Sequence, residues 1–140
     1  MLSRSHSETK TFGREVGSSL KGGEILALTG DLGAGKTTFT QGLAESLGVD
    51  RVNSPSFIIM RQYNVANTNI KYLYHVDLYR LEKNIKEELG NLGITDIWSK
   101  PENIVLIEWA DKAKGLLPKN TIYIDIKYKD ENTREIIRRK

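Results

Sequence analysis

Gly30-Asp31-Leu32-Gly33-Ala34-Gly35-Lys36-Thr37 sets a lysine and a hydroxyl directly behind a run of glycines, in the spacing G-x-x-x-x-G-K-[ST]. Residues of these types at this spacing hold a polyphosphate. The glycines let backbone N–H groups close around phosphate oxygens, Lys36 reaches the β- and γ-phosphates, and Thr37 offers its hydroxyl to Mg²⁺. The expected nucleotide-binding residues are therefore Asp31, Leu32, Gly33, Ala34, Gly35, Lys36, Thr37 and Thr38. Such a site also needs a carboxylate near the metal, at the end of a second buried strand. Glu108 closes the apolar run Ile104-Val105-Leu106-Ile107, and Asp77 closes Tyr72-Leu73-Tyr74-His75-Val76. A solvated rim position is the alternative for Glu108; a turn cap or a pair with Arg80 is the alternative for Asp77. Hydrolysis further requires a group that accepts a proton from an in-line water, and Glu108 suits that task. Ser54-Pro55-Ser56-Phe57 fits a switch loop whose hydroxyls sense the γ-phosphate, or a plain β-turn opened by Ser and fixed by Pro. His75, between Tyr74 and Val76, reads as a structural histidine rather than a base or metal ligand.

The elements that must position these groups follow from periodicity. Ser7 is a capping candidate for a helix to Leu20, with Phe12, Val16 and Leu20 on one stripe. Glu24 to Thr29 is a short apolar strand of the kind buried on both faces, and Lys36 to Leu47 a helix with Phe39, Leu43 and Leu47 in line. Phe57 to Val65 and Ile70 to Leu78 form a hairpin across Ala66-Asn67-Thr68-Asn69. Glu82 to Leu89 is a polar helix broken by Gly90 and Gly93; Ile104 to Glu108 and Thr121 to Tyr128 are strands, and Arg134 to Arg139 can pair with the second. Strands alternating with helices, opened by strand, glycine loop and helix, predict an α/β domain of phosphate-loop (P-loop) NTPase-like type. Its central sheet is mainly parallel and flanked by helices, with the hairpin as insertion or edge element, in a single domain over 1–140.

The bulk properties restrict the alternatives. The 140 residues contain no cysteine, which excludes thiolate metal sites, disulfides and thiol catalysis. No apolar run approaches the roughly 18 to 20 residues of a bilayer span, and Met1 to His6 lacks the apolar core of a signal peptide, so no membrane is expected and the location expected is cytoplasmic. The net charge of +3 is uneven. Lys127, Lys129, Arg134, Arg138, Arg139 and Lys140 face Asp130, Glu131 and Glu135 in the last 14 residues, which leaves 15 basic and 15 acidic residues elsewhere. The basic segment from 126 to 140 is either a nucleic-acid contact through Arg134, Arg138, Arg139 and Lys140 or, on the preferred reading, a solvated edge strand whose charges discourage aggregation.

GDLGAGKTT at Gly30 to Thr38, SPSF at Ser54 to Phe57, HVDLYRL at His75 to Leu81 and Glu108-Trp109 occur in this order and at these spacings. In these motifs the chain resembles the TsaE family, small bacterial ATPases of tRNA threonylcarbamoyladenosine biosynthesis, over Ser5 to about Tyr128. The resemblance implies a Mg²⁺-dependent ATPase that acts with a carbamoyl-transferring subunit and its inactive paralogue to modify the adenosine next to the anticodon. Contact with tRNA is then expected to be indirect. It implies Lys36 as the phosphate-binding lysine, Thr37 as a magnesium ligand, Asp77 and Glu108 as the acidic pair at the metal, and Trp109 as a tryptophan beside the site. Thr9, at the start of the first helix, is the residue chosen for an adenine contact. The family usually has Thr where this chain has Ser56; both offer a hydroxyl. Two other functions remain open at this stage. A small-molecule kinase would carry an arginine-rich lid, and only Arg51, Arg61 and Arg80 are scattered through the relevant region. A nucleotide-gated assembly module would bind ATP and hydrolyse it incidentally.

Overall fold

The computed structural model describes residues 1–30, 34–50, 52, 59–66 and 69–139. Its centre is a seven-stranded sheet of β1 (Leu2–Ser3), β2 (Ile25–Thr29), β3 (Met60–Asn64), β4 (Tyr72–Asp77), β5 (Asn103–Glu108), β6 (Ile122–Tyr128) and β7 (Arg134–Arg139), in the order β1-β7-β6-β2-β5-β4-β3. The four central strands, β6, β2, β5 and β4, are parallel, and β3 and β7 join antiparallel at either side. Every residue of β5 is buried, as a strand covered on both faces must be.

Side chains alternate across the sheet and separate two cores. Leu26, Leu28, Ile104 and Leu106 point to one face and pack with Val16 of α1 (His6–Ser19), Leu20 just after it, and Phe39 and Leu43 of α2 (Lys36–Ser46). Ile25, Ala27, Val105 and Ile107 point to the other, beneath α3 (Ile85–Asn91), α4 (Ile94–Trp98) and a 3₁₀ turn over Ala110–Ala113. Helices α1 and α2 touch backbone to backbone. A Cβ added at Gly42 would meet backbone atoms of Lys10, and one at Gly13 would meet the Phe39 carbonyl. Among the described residues no helix is long and apolar enough to cross a membrane.

The α/β architecture, the hairpin pairing and the β6–β7 pairing match the sequence expectation. The hairpin is more than an appendage, because β4 also pairs along its whole length with β5. Several local expectations are corrected. Ser5, not Ser7, caps α1: its hydroxyl accepts from Glu8 N at 3.1 Å, in the S-x-x-E spacing Ser5-His6-Ser7-Glu8. The polar helix begins at Ile85 and runs through Gly90 to Asn91; the chain breaks at Gly93, whose φ is +70°. Strand β7 is not simply an edge, because β1 pairs outside Arg134 and Glu135 and Ile136 N donates to Met1 O at 2.8 Å.

Candidate nucleotide site

The parallel register assembles the acidic half of the site. Leu28 of β2 faces Glu108 of β5, which faces Asp77 of β4, so the two carboxylates leave the ends of adjacent strands on the face covered by α1 and α2. Helix α2 begins on that face with Lys36. Its Nζ donates to the Gly30 carbonyl and lies 4.1 Å from the Trp109 ring centroid, and the residue is only 6% exposed. Gly35 precedes the helix at φ +103°, a conformation glycine adopts without Cβ strain, and among the described residues no side chain caps α2. The first-turn N–H groups and the helix dipole both favour an anion there. Thr37 is exposed and Thr38 half-buried in the same turn. Asp31, Leu32 and Gly33 of the loop, and all of Ser54, Pro55, Ser56 and Phe57, lie outside the described residues.

Asp77 and Glu108 sit in different surroundings. Asp77 Oδ1 accepts from Tyr79 N at 2.9 Å, the turn-cap alternative. Burial pushes the Asp77 carboxyl above its ordinary value and the neighbouring Glu108 charge adds to that, against the opposing pull of the Tyr79 N–H and Lys36. Glu108 is buried, and its Oε2 lies 2.5 Å from His75 Nε2. A neutral histidine makes that contact with its proton on Nε2. His75 is therefore buried in the core as expected, yet it also grips the carboxylate, a link its sequence position does not disclose. Its Nδ1 is buried without a hydrogen-bond partner among the described residues.

Trp109 follows Glu108 at φ +58°, a left-handed conformation that is an outlier for a bulky residue. Its ring lies against Tyr79 in a tilted contact, 5.1 Å between centroids. Thr9 is also near the loop, but its Oγ1 is 2.6 Å from Ser3 Oγ, and it turns its methyl toward Gly35. Thr9 and Arg134 border Gly35 in one hollow with Ser5, His6, Glu131 and Asn132. A larger cleft of about 470 Å³ opens at Gly30, between Trp109, Asp111 and Lys127.

Arg134 overturns both readings of the basic segment at that position. It is 9% exposed, its Nε donates to Ala34 O at 3.0 Å, and its Nη1 donates to Asp130 O at 2.7 Å. An arginine so placed holds the backbone at Ala34 and is withdrawn from solvent. Only Arg138 and Arg139 of the described basic residues in β7 stay exposed. No sequence signal separates Arg134 from them; its burial follows from the turn at 130–133 and the register of β7.

Strand, glycine turn, helix with an inward lysine and two carboxylates on the next strands together define a P-loop NTPase-like domain. The model of the family described as "Threonylcarbamoyl adenosine biosynthesis protein TsaE" matches residues 3–136, and the chain belongs to that family. It is 42% identical over 130 residues to the tRNA threonylcarbamoyladenosine biosynthesis protein TsaE of Bacillus subtilis, covering 92% of this chain and 77% of that protein. The Haemophilus influenzae protein of the same description is 44% identical over 108 residues, with 76% and 65% covered, and the Treponema pallidum protein 34% identical with 96% of each covered. A crystal structure of YdiB from B. subtilis superposes with a TM-score of 0.73 at 34% identity, over 97% of this chain and 80% of that one.

Proposed function

We propose that this chain is a single-domain, Mg²⁺-dependent ATPase that serves tRNA threonylcarbamoyladenosine formation in the cytoplasm, working with a carbamoyl-transferring subunit and its inactive paralogue. The observation that carries this reading is the strand register, in which Asp77 and Glu108 stand side by side at the Lys36 end of α2. Thr37, Asp77 and Glu108 are hard oxygen donors, the set Mg²⁺ prefers. They fit a cation on a further ground: burial beside Glu108 penalises the Asp77 charge, and a cation relieves that penalty. Among the described residues no group of three His, Asp or Glu side chains makes a metal site by itself, so phosphate oxygens and water would have to complete the shell. When bound, Mg²⁺ would neutralise charge developing on the phosphoryl oxygens.

The chain's own residues supply the rest. Lys36 leaves the Gly30 carbonyl for the phosphates, and the first-turn N–H groups of α2 hold their oxygens. His75 fixes one oxygen of Glu108 and leaves the other to serve either the cation or, with Asp77 and Thr37 holding the cation, a proton of the attacking water. Arg134 holds the backbone at Ala34, and Thr9, whose methyl faces Gly35, is the residue assigned to the base. Contact with tRNA passes through the partners.

The test combines purified chain, Mg²⁺, ATP, the two partner subunits and unmodified tRNA, with each component omitted in turn. Phosphate release and modified adenosine should both require this chain, and Lys36→Ala should remove both. Phosphate release by Lys36→Ala at the parent rate would refute the site. Phosphorylation of an added metabolite in proportion to ATP consumed would make the chain a kinase. Repeated modification supported equally by a nonhydrolysable ATP analogue would remove hydrolysis from the function.

A further inference from the structure

Four side chains form a continuous stack that begins at the loop and ends near the surface. Lys36 Nζ lies 4.1 Å from the Trp109 ring, the Trp109 and Tyr79 rings are 5.1 Å apart and inclined at 49°, and Lys112 Nζ lies 5.7 Å from the Tyr79 ring. Cation–ring contacts hold to about 6 Å, so each link is within range. Lys112 does more than close the stack: its Nζ donates to Tyr79 O at 2.6 Å and Leu81 O at 2.8 Å. It stands one turn beyond Trp109, whose carbonyl accepts from Lys112 N at 3.1 Å. Lys112 thus ties the segment after Asp77 to the segment after Glu108.

That tie is needed because Tyr79 has no rigid seat of its own, and Trp109, although it packs against the core, relies on Tyr79 at its ring. Tyr79 is half exposed, and Trp109 is held at φ +58°, which a bulky residue keeps only when its surroundings impose it. The proposed reaction as assigned so far gives Lys112 no role.

We propose that Lys112 is a positioning residue for the phosphate-binding lysine: it fixes Tyr79 against Trp109, and the Trp109 ring carries the Lys36 ammonium at the mouth of the loop. The proposal rests on the nucleotide-binding reading for its functional effect, but its geometry can be tested without nucleotide. A Trp98→Phe background leaves Trp109 as the only tryptophan. In that background Lys36→Met removes a positive charge from beside the indole and shifts its emission. With Lys112→Met also present the ring is no longer held to Lys36, and the same Lys36→Met substitution produces no further shift. Lys112→Arg, which keeps charge and donors, restores it. By calorimetric titration with Mg-ATP, Lys112→Met weakens binding three- to fivefold with a smaller change in turnover, and Lys112→Arg binds as the parent does.

A purely structural Lys112 would lower thermal stability yet leave the Lys36-dependent emission shift intact, and that result overturns the proposal. Parent-like ATP affinity in a folded Lys112→Met protein overturns its functional part. Failure of the parent itself to bind ATP would instead refute the nucleotide reading, while the emission series still decides whether Lys112 positions Lys36.

Discussion

Replacing Gly42 by alanine should destabilise the protein, although the same change in an open helix stabilises it. An added Cβ at Gly42 lies 2.1 Å from Lys10 O, 2.9 Å from Lys10 C and 3.1 Å from Lys10 Cα, all backbone atoms of α1 that no rotamer change can move. Carbon and carbonyl oxygen do not approach much below about 3.3 Å, so the helices must part by about 1 Å. Overpacking of this kind costs about 1–3 kcal/mol and alanine recovers at most about 1 kcal/mol of helix propensity. With Gly13 equally tight against α2, the high end applies, for a net loss of about 2 kcal/mol. At about 4 °C per kcal/mol for a domain of this size, Tm falls by about 8 °C. Gly90, in α3 with nothing within 4 Å of its added Cβ, is the control: Gly90→Ala should raise Tm by about 2–4 °C. Thermal and urea unfolding of the two variants against the parent measure both. A Gly42→Ala protein as stable as Gly90→Ala would refute the argument that backbone contact sets the α1–α2 distance. Because α2 begins at Lys36, the same variant should also bind ATP more weakly.

Asp77→Asn should leave the ligand-free protein as stable as the parent or more so at pH 7 while removing Mg-dependent activity. The folded carboxyl titrates above its unfolded value, so the native state holds the extra proton and the Asp77 contribution turns unfavourable as pH rises through that window; a flat difference in Tm between the two proteins from pH 4 to 8 would contradict this. Arg134→Met should cost about 2 kcal/mol and weaken ATP binding, because buried charged hydrogen bonds to Ala34 and Asp130 carbonyls are lost. Arg138→Met, exposed on the same strand, should do neither, and equal effects of the two in unfolding and titration would return Arg134 to the surface. Ser5→Ala should cost about 1 kcal/mol and Ser7→Ala almost nothing, as read by urea midpoints.

The parts of the site that depend on local chemistry are visible in the sequence. Glycine spacing marks the site before Lys36, and the apolar run ending in Glu108 marks a buried parallel strand, whereas the more amphipathic run ending in Asp77 shows its hairpin partner but not its parallel pairing with β5. The Ser5 cap was equally visible in its S-x-x-E spacing, but Ser7 with Glu8 behind it competed locally. What depends on pairing between distant segments was not visible. The contact of His75 with Glu108 needs the β4–β5 register, and the burial of Arg134 needs β7 folded back on β6 with β1 outside it. Two-residue β1 has no periodicity to detect, and Arg134, Arg138 and Arg139 differ only in the environment the register gives them.

The order of strands also governs when the site comes into being. β2, which leads into the loop, pairs in parallel with β5 and β6, both far along the chain; its Thr29 hydroxyl donates to Asp125 Oδ1 across a separation of 96 residues. Closing such long loops is slow, and little is gained until both neighbours have docked. Lys36 can have a helix beneath it early, from the local contacts of α1 and α2, but its carboxylate partners arrive only with β4 and β5, and its brace only with β7. During refolding, helical signal should therefore recover before nucleotide binding does. A chain interrupted before residue 134 would carry the complete glycine motif and still lack the Arg134 support that holds it in shape.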